Sequence, residues 1–132
     1  MAMPDERREK KIKELLEEME KERGYLPSPW PYLANKDLDF MEAYNNLYKK
    51  TLSAGKALPV KTKELILIGI YACKGRDFAI EEHSKRALLN GATIQEIFET
   101  IQTTFIAGGA PALGTGLRAL MKVEEEERKK NK

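Results

Sequence analysis

The sequence predicts an all-α fold of about six helices. Apolar residues recur at i, i+3, i+4 and i+7 along most of the chain, the spacing that lines one face of a helix. Residues that start or stop helices stand between those stretches: Gly24, Asp37, Gly55, Pro59, Thr93 and Pro111. The one apolar run short enough for a buried strand, Leu65 to Tyr71, has no second run to pair with and is read as a buried helix.

The elements follow in order. Residues 5–23 place Ile12, Leu15, Leu16 and Met19 on one face among Lys, Arg and Glu, and Gly24 is the expected stop. Pro27, Pro29 and Pro31 predict an ordered apolar loop over Tyr25 to Tyr32. Asp37 is placed to cap a second helix to Ala54, with Phe40, Met41, Tyr44, Leu47 and Tyr48 inward and Gly55 ending it. Pro59 suits the first turn of the next, apolar on all sides. A helix around His83 follows. Thr93 to Glu96 spell a capping box, opening a helix that carries Ile97, Ile101, Phe105 and Ile106 as far as Gly108-Gly109. Pro111 opens the last helix, through Leu113, Leu117, Leu120 and Met121. It is expected to fray into a solvated charged tail from Glu124 to Lys130, while Gly114 and Gly116 permit close helix approach.

Composition narrows the function classes. Apolar residues make up 42% and charged residues 33% of 132 residues, which describes a folded protein with a charged exterior. A net charge of +2, with Lys and Arg interleaved among acids, gives no basic stripe for nucleic acid. No run reaches the roughly eighteen apolar residues of a membrane span, and the charged start, Pro4 to Arg8, has no signal core, so a cytoplasmic location is expected. One cysteine, Cys73, excludes an internal disulfide and is read as a small buried apolar residue. One histidine and no paired acids leave no metal site in a single chain, and the glycines from 108 to 116 follow no strand, so no dinucleotide loop and no cofactor are expected. A small chain with this much apolar helix surface is expected to be a homo-oligomer. Abundant Glu and Lys, with only Gln95 and Gln102, lean towards a heat-adapted or engineered protein.

The chemistry-bearing residues are His83 and Glu64. Arg76, Ala79, Ile80, His83 and Ala87 share one face if the stretch is helical, and Glu64 stands nineteen residues upstream on an apolar segment able to pack beside it. Imidazole and carboxylate together are the minimum set for moving protons near neutral pH. The plain structural alternatives are a hydrogen-bonded, partly buried histidine, an acid paired on the surface with Lys61 or Lys63, and a surface Arg76.

The order Lys63-Glu64-Leu65, apolar helix, His83, Ala87, Gly91-Ala92-Thr93, Glu96-Ile97, then Gly108-Gly109-Ala110-Pro111-Ala112, resembles the carboxymuconolactone decarboxylase and alkyl hydroperoxidase D superfamily. The resemblance covers residues 35–122, within a single domain spanning 1–132. Residues 1–34 form an N-terminal helix and Pro-rich loop, and 123–132 a charged tail. It implies a helical-hairpin core and assembly as trimers or hexamers.

Two branches of the superfamily place different chemistry on this scaffold. The hydroperoxidase-like branch carries a Cys-x-x-Cys pair at the positions held here by Arg76 and Ala79, served by a Glu and a His that match Glu64 and His83. There a thiolate cleaves the peroxide and the second sulfur closes a disulfide. Cys73, ten residues before His83, does not replace them. The decarboxylase branch has an Arg seven residues before the His, matched by Gly75-Arg76, which would pair with the carboxylate of a lactone substrate; its usual Glu is Ala79 here. The resemblance therefore implies a family member without redox cysteines and without peroxidase activity. A cofactor-free decarboxylase of a carboxylated lactone is the second reading. An engineered or structural assembly subunit, with both cysteines replaced, is the third. Under the enzymatic readings Glu64, His83 and Arg76 form the site, with a small-molecule substrate.

Overall fold

Tyr25 to Tyr32 was expected to be a loop, yet its second half is helical, because a helix start tolerates proline. The first four amides of a helix have no internal acceptor, so Pro29 and Pro31 in the first turn give up no hydrogen bond. The computed structural model describes residues 4–53 and 55–131. Among these it has seven helices and no strand: α1 (Asp5–Arg23), α2 (Pro29–Lys36), α3 (Leu38–Leu52), α4 (Val60–Cys73), α5 (Asp77–Leu89), α6 (Ile94–Thr103) and α7 (Phe105–Lys130). The all-α class is as predicted, and α2 accounts for the additional helix. The chain divides into two compact units, one ending at Ser53 and the other following it.

In the first unit α1 stops at Gly24 as expected. Ile12 and Met19 are buried with Ala34, Leu38 and Met41, and Leu15, Leu16, Trp30 and Tyr44 pack around them. Asp37 caps α3, its Oδ1 accepting from the Phe40 amide at 3.0 Å. The helix closes at Leu52 with Ser53 extended, so Gly55 is not its terminator; Ala54 lies outside the described residues. Phe40 and Leu47, expected inward, are exposed. The inner stripe is instead Leu38, Met41, Asn45 and Leu52. Asn45 belongs to it because its Oδ1 accepts from Arg23 Nη2 at 2.9 Å, and Arg23 is itself buried with its guanidinium 3.7 Å from the Tyr48 ring centroid. Cation–π contact and one hydrogen bond partly offset the desolvation of that charge.

The second unit is built on α4, α5, α6 and α7. Ile68, Ala72, Ile80, Ala87, Ile97, Ile101, Ala119 and Leu120 form its core. Helix α4 is not buried on all sides: Ile68 is fully enclosed, whereas Ile66 and Ile70 are nearly half exposed. Cys73 is exposed, not buried. The capping box is present, with Thr93 N donating to Glu96 Oε1 and Glu96 N to Thr93 Oγ1, both at 3.0 Å. Helix α6 ends at Thr103, earlier than expected, and Phe105 and Ile106 open α7 with exposed side chains.

The glycine–proline break appears as a kink inside α7. Gly109 has φ 68° and ψ −163°, a conformation reserved for glycine, and Pro111 follows two residues on, where the helix resumes. At Gly116 a Cβ would lie 2.4 Å from Ile101 Cγ2, so α6 and α7 touch through its missing side chain. At Gly114 a Cβ would meet only Arg118 of the same helix. The tail does not fray: α7 continues to Lys130, with Val123 fully buried and Glu126 Oε2 2.8 Å from Lys85 Nζ of α5. No helix among the described residues is long and apolar enough to cross a membrane.

Candidate functional site

Glu64 occupies the second turn of α4, which its own apolar sequence draws into the core of the second unit. Its carboxylate has no exposed surface, and a charge so placed needs partners. Both come from α5. His83 Nδ1 lies 2.7 Å from Glu64 Oε2, and Arg86 Nε donates to Glu64 Oε1 at 2.7 Å. His83 and Arg86 are also buried, 9% and 8% exposed. They stand three residues apart on α5, so one helical face presents both to the acid. Neither surface lysine partners Glu64 as the plain alternative would have it; Lys61 pairs instead with Glu96 at 3.0 Å.

Tyr71 completes the surroundings of the imidazole. Its ring stacks on His83 with centroids 5.2 Å apart and planes 13° from parallel. Tyr71 follows Glu64 by seven residues, two turns along the same face of α4. The acid therefore fixes one ring nitrogen while the phenol ring covers one face.

The chemical state of the triad follows from donor inventory. A guanidinium stays charged and only donates, so it supplies the countercharge for a buried carboxylate. An ionised carboxylate only accepts, and facing one, His83 would donate through Nδ1–H. In the neutral ring the lone pair is then on Nε2, the arrangement of a general base.

The remaining predicted site positions sit elsewhere. Arg76 is the N-terminal cap residue of α5 and its side chain is exposed; its backbone amide donates to the Tyr71 carbonyl at 3.0 Å. It contributes nothing to the Glu64 cluster, because the cap residue lies outside the helical face that carries His83. Ala79 is half-buried and offers no polar atom. Arg86 and Tyr71 were not singled out from sequence, although their spacings, three from His83 and seven from Glu64, were readable there. Among the described residues no group of three or more His, Cys, Asp or Glu side chains converges on a metal position.

A separate apolar groove of about 560 Å³ runs between α4 and α6 into the start of α7. Ile66, Ile70, Cys73, Thr100 and Thr104 are among its walls, and none of Glu64, Arg76, Ala79, His83 or Arg86 lines it.

Comparison with known proteins agrees with this architecture. A protein from Burkholderia xenovorans LB400 named for carboxymuconolactone decarboxylase superposes with a TM-score of 0.78 at 28% identity, over 92% of this chain and 95% of that one. A carboxymuconolactone decarboxylase family protein from Legionella pneumophila superposes at 0.65 with 25% identity, over 87% and 96%. An uncharacterized protein of Methanocaldococcus jannaschii, MJ1511, is 33% identical over 85 residues, 64% of this chain and 78% of that protein. The model of the carboxymuconolactone decarboxylase family matches residues 39–122, which include α4 to α6, the capping box and the kink at Gly109. With that match spanning most of its length, the chain belongs to the carboxymuconolactone decarboxylase family.

Proposed function

We propose that this protein carries the family's acid–base site without its thiol chemistry: a Glu64–His83 proton-transfer pair, no peroxidase activity, and no cofactor. The observation that carries the reading is the 2.7 Å contact between His83 Nδ1 and Glu64 Oε2 in a buried setting, in a chain with Arg76 and Ala79 where the redox branch has cysteines. In the redox branch a thiolate beside the imidazole takes the peroxide oxygen, and a second protein sulfur displaces it as water and closes a disulfide. Cys73 is a single sulfur on the wall of the separate groove. The test compares peroxide turnover, with a dithiol reductant, in the parent and in the Arg76→Cys, Ala79→Cys double mutant. Turnover confined to the double mutant is the expected result. Turnover in the parent would overturn the reading.

Decarboxylation of a carboxylated lactone is the second reading, supported by family membership and by Gly75-Arg76. In it His83 Nε2 exchanges a proton with the substrate as carbon dioxide leaves, and Arg76 receives a carboxylate. The exposed position of Arg76, away from the Glu64 cluster, weighs against it. Carbon dioxide release from a carboxylated lactone, lost in Arg76→Ala, would favour it over the first.

The assembly proposal is a homo-oligomer, a trimer or hexamer, for either enzymatic reading and for a purely structural subunit. Four large apolar side chains of the second unit, Ile66, Ile70, Phe105 and Ile106, are 45% to 89% exposed, a surface that another subunit would cover. Native mass determination is the test, and a monomer at micromolar concentration would refute the proposal.

A further inference from the structure

We propose that Arg86 is a positioning residue for His83, acting through Glu64. The inference rests on the reading of Glu64 and His83 as a proton-transfer pair, and assigns the residue that sets its direction. A carboxylate with one partner can turn either oxygen towards it and keeps unused lone pairs. Here the two oxygens are divided: Oε1 accepts from Arg86 Nε and Oε2 meets His83 Nδ1, each at 2.7 Å. Both partners come from one rigid helix, three residues apart, so the distance between them is fixed by α5 and the carboxylate is clamped.

Two consequences follow for the imidazole. Arg86 donates to Oε1 of the fully buried Glu64 and so holds Oε2 towards the imidazole. An acceptor at Oε2 selects the Nδ1–H tautomer and leaves the lone pair on Nε2. Tyr71, stacked on one face of the ring, resists the flip that would exchange the two nitrogens. Without Arg86, Oε1 loses its donor and the carboxyl group is free to turn, so nothing selects Nδ1–H over Nε2–H. The lone pair is then shared between the two nitrogens, and only part of it faces a substrate.

His83 is the only histidine in the chain, so its ring nitrogens give a single, unambiguous pair of signals. The test is the nitrogen-15 spectrum of the neutral imidazole in the full-length protein, with folding checked from the amide spectrum. In the parent, Nδ1 is expected to be protonated and Nε2 not; a dominant Nε2–H tautomer overturns the proposal. In Arg86→Met the tautomer ratio is expected to fall by about tenfold, within the reach of one charge-assisted hydrogen bond. Arg86→Lys, which keeps the charge, is expected to lie between the two. An unchanged ratio in Arg86→Met overturns the proposal as well. Should Met not fold at this site, Arg86→Gln gives the same reading with the same outcomes. Peroxide turnover by the parent would sink the functional reading and leave the ring spectrum intact, whereas the wrong tautomer sinks this proposal whatever the turnover.

Discussion

Glu64 and His83, nineteen residues apart in sequence, meet across α4 and α5 with 2.7 Å between Oε2 and Nδ1. That contact joins two members of the cluster, and Arg86 takes the remaining oxygen of the acid. The stability of this unit and its chemistry are therefore linked.

Removing the acid alone should be costly. Glu64→Leu removes the acceptor of Arg86 Nε and of His83 Nδ1, and breaking a buried ion pair costs on the order of 3 kcal/mol. Urea denaturation should show a lower midpoint with an unchanged slope. A variant as stable as the parent would show that the contacts of Glu64 with His83 and Arg86 add nothing to the stability of the fold.

A second buried cation supports the first unit. Arg23 donates to Asn45 and lies over the Tyr48 ring. Arg23→Ala should cost about 2 kcal/mol from the lost hydrogen bond, the cation–π contact and the space left behind. A double-mutant cycle with Asn45→Ala should return a coupling of about 1 kcal/mol, and strict additivity would show that the pair does not interact in solution.

Two neighbouring glycines should respond in opposite directions. Gly116→Ala drives a methyl into Ile101 and should destabilise by about 1 to 3 kcal/mol. Gly114→Ala meets only the mobile end of Arg118, at 3.2 Å, and should gain about 0.5 to 1 kcal/mol of helix propensity. Thermal denaturation of both variants settles the point, and equal shifts would contradict the packing described for α6 and α7.

The start of α6 should weaken in acid. Lys61 beside Glu96, and the Thr93 amide of the capping box, hold the Glu96 carboxyl below its ordinary value of 4.5. The unfolded chain therefore takes up this proton first as pH falls, so Glu96 contributes stability above that ordinary value and loses it as pH drops through the lower folded one. The stability difference between the parent and Glu96→Gln should shrink over that acid range, followed by circular dichroism. A difference independent of pH there would show that the charge plays no part in the cap.

Much of this protein was legible in its residues one by one. Local rules fixed the helical class, the stop at Gly24, the cap at Asp37, the box at Thr93 and Glu96, and the interruption near Gly109, because each is decided by a side chain or a φ angle within one turn. The pairing of Glu64 with His83 was expected from the family pattern. Other features depended on neighbours remote in sequence. Asn45 faces inward to Arg23, while Phe40 and Leu47 face outward. Arg86 meets a buried acid only because α4 packs against α5. Arg76, on the expected face by spacing, became a cap residue at the surface because α5 begins one residue after it. Periodicity reports which side chains share a face; only the packed helices decide what that face meets, and burial then dictates which charges must pair.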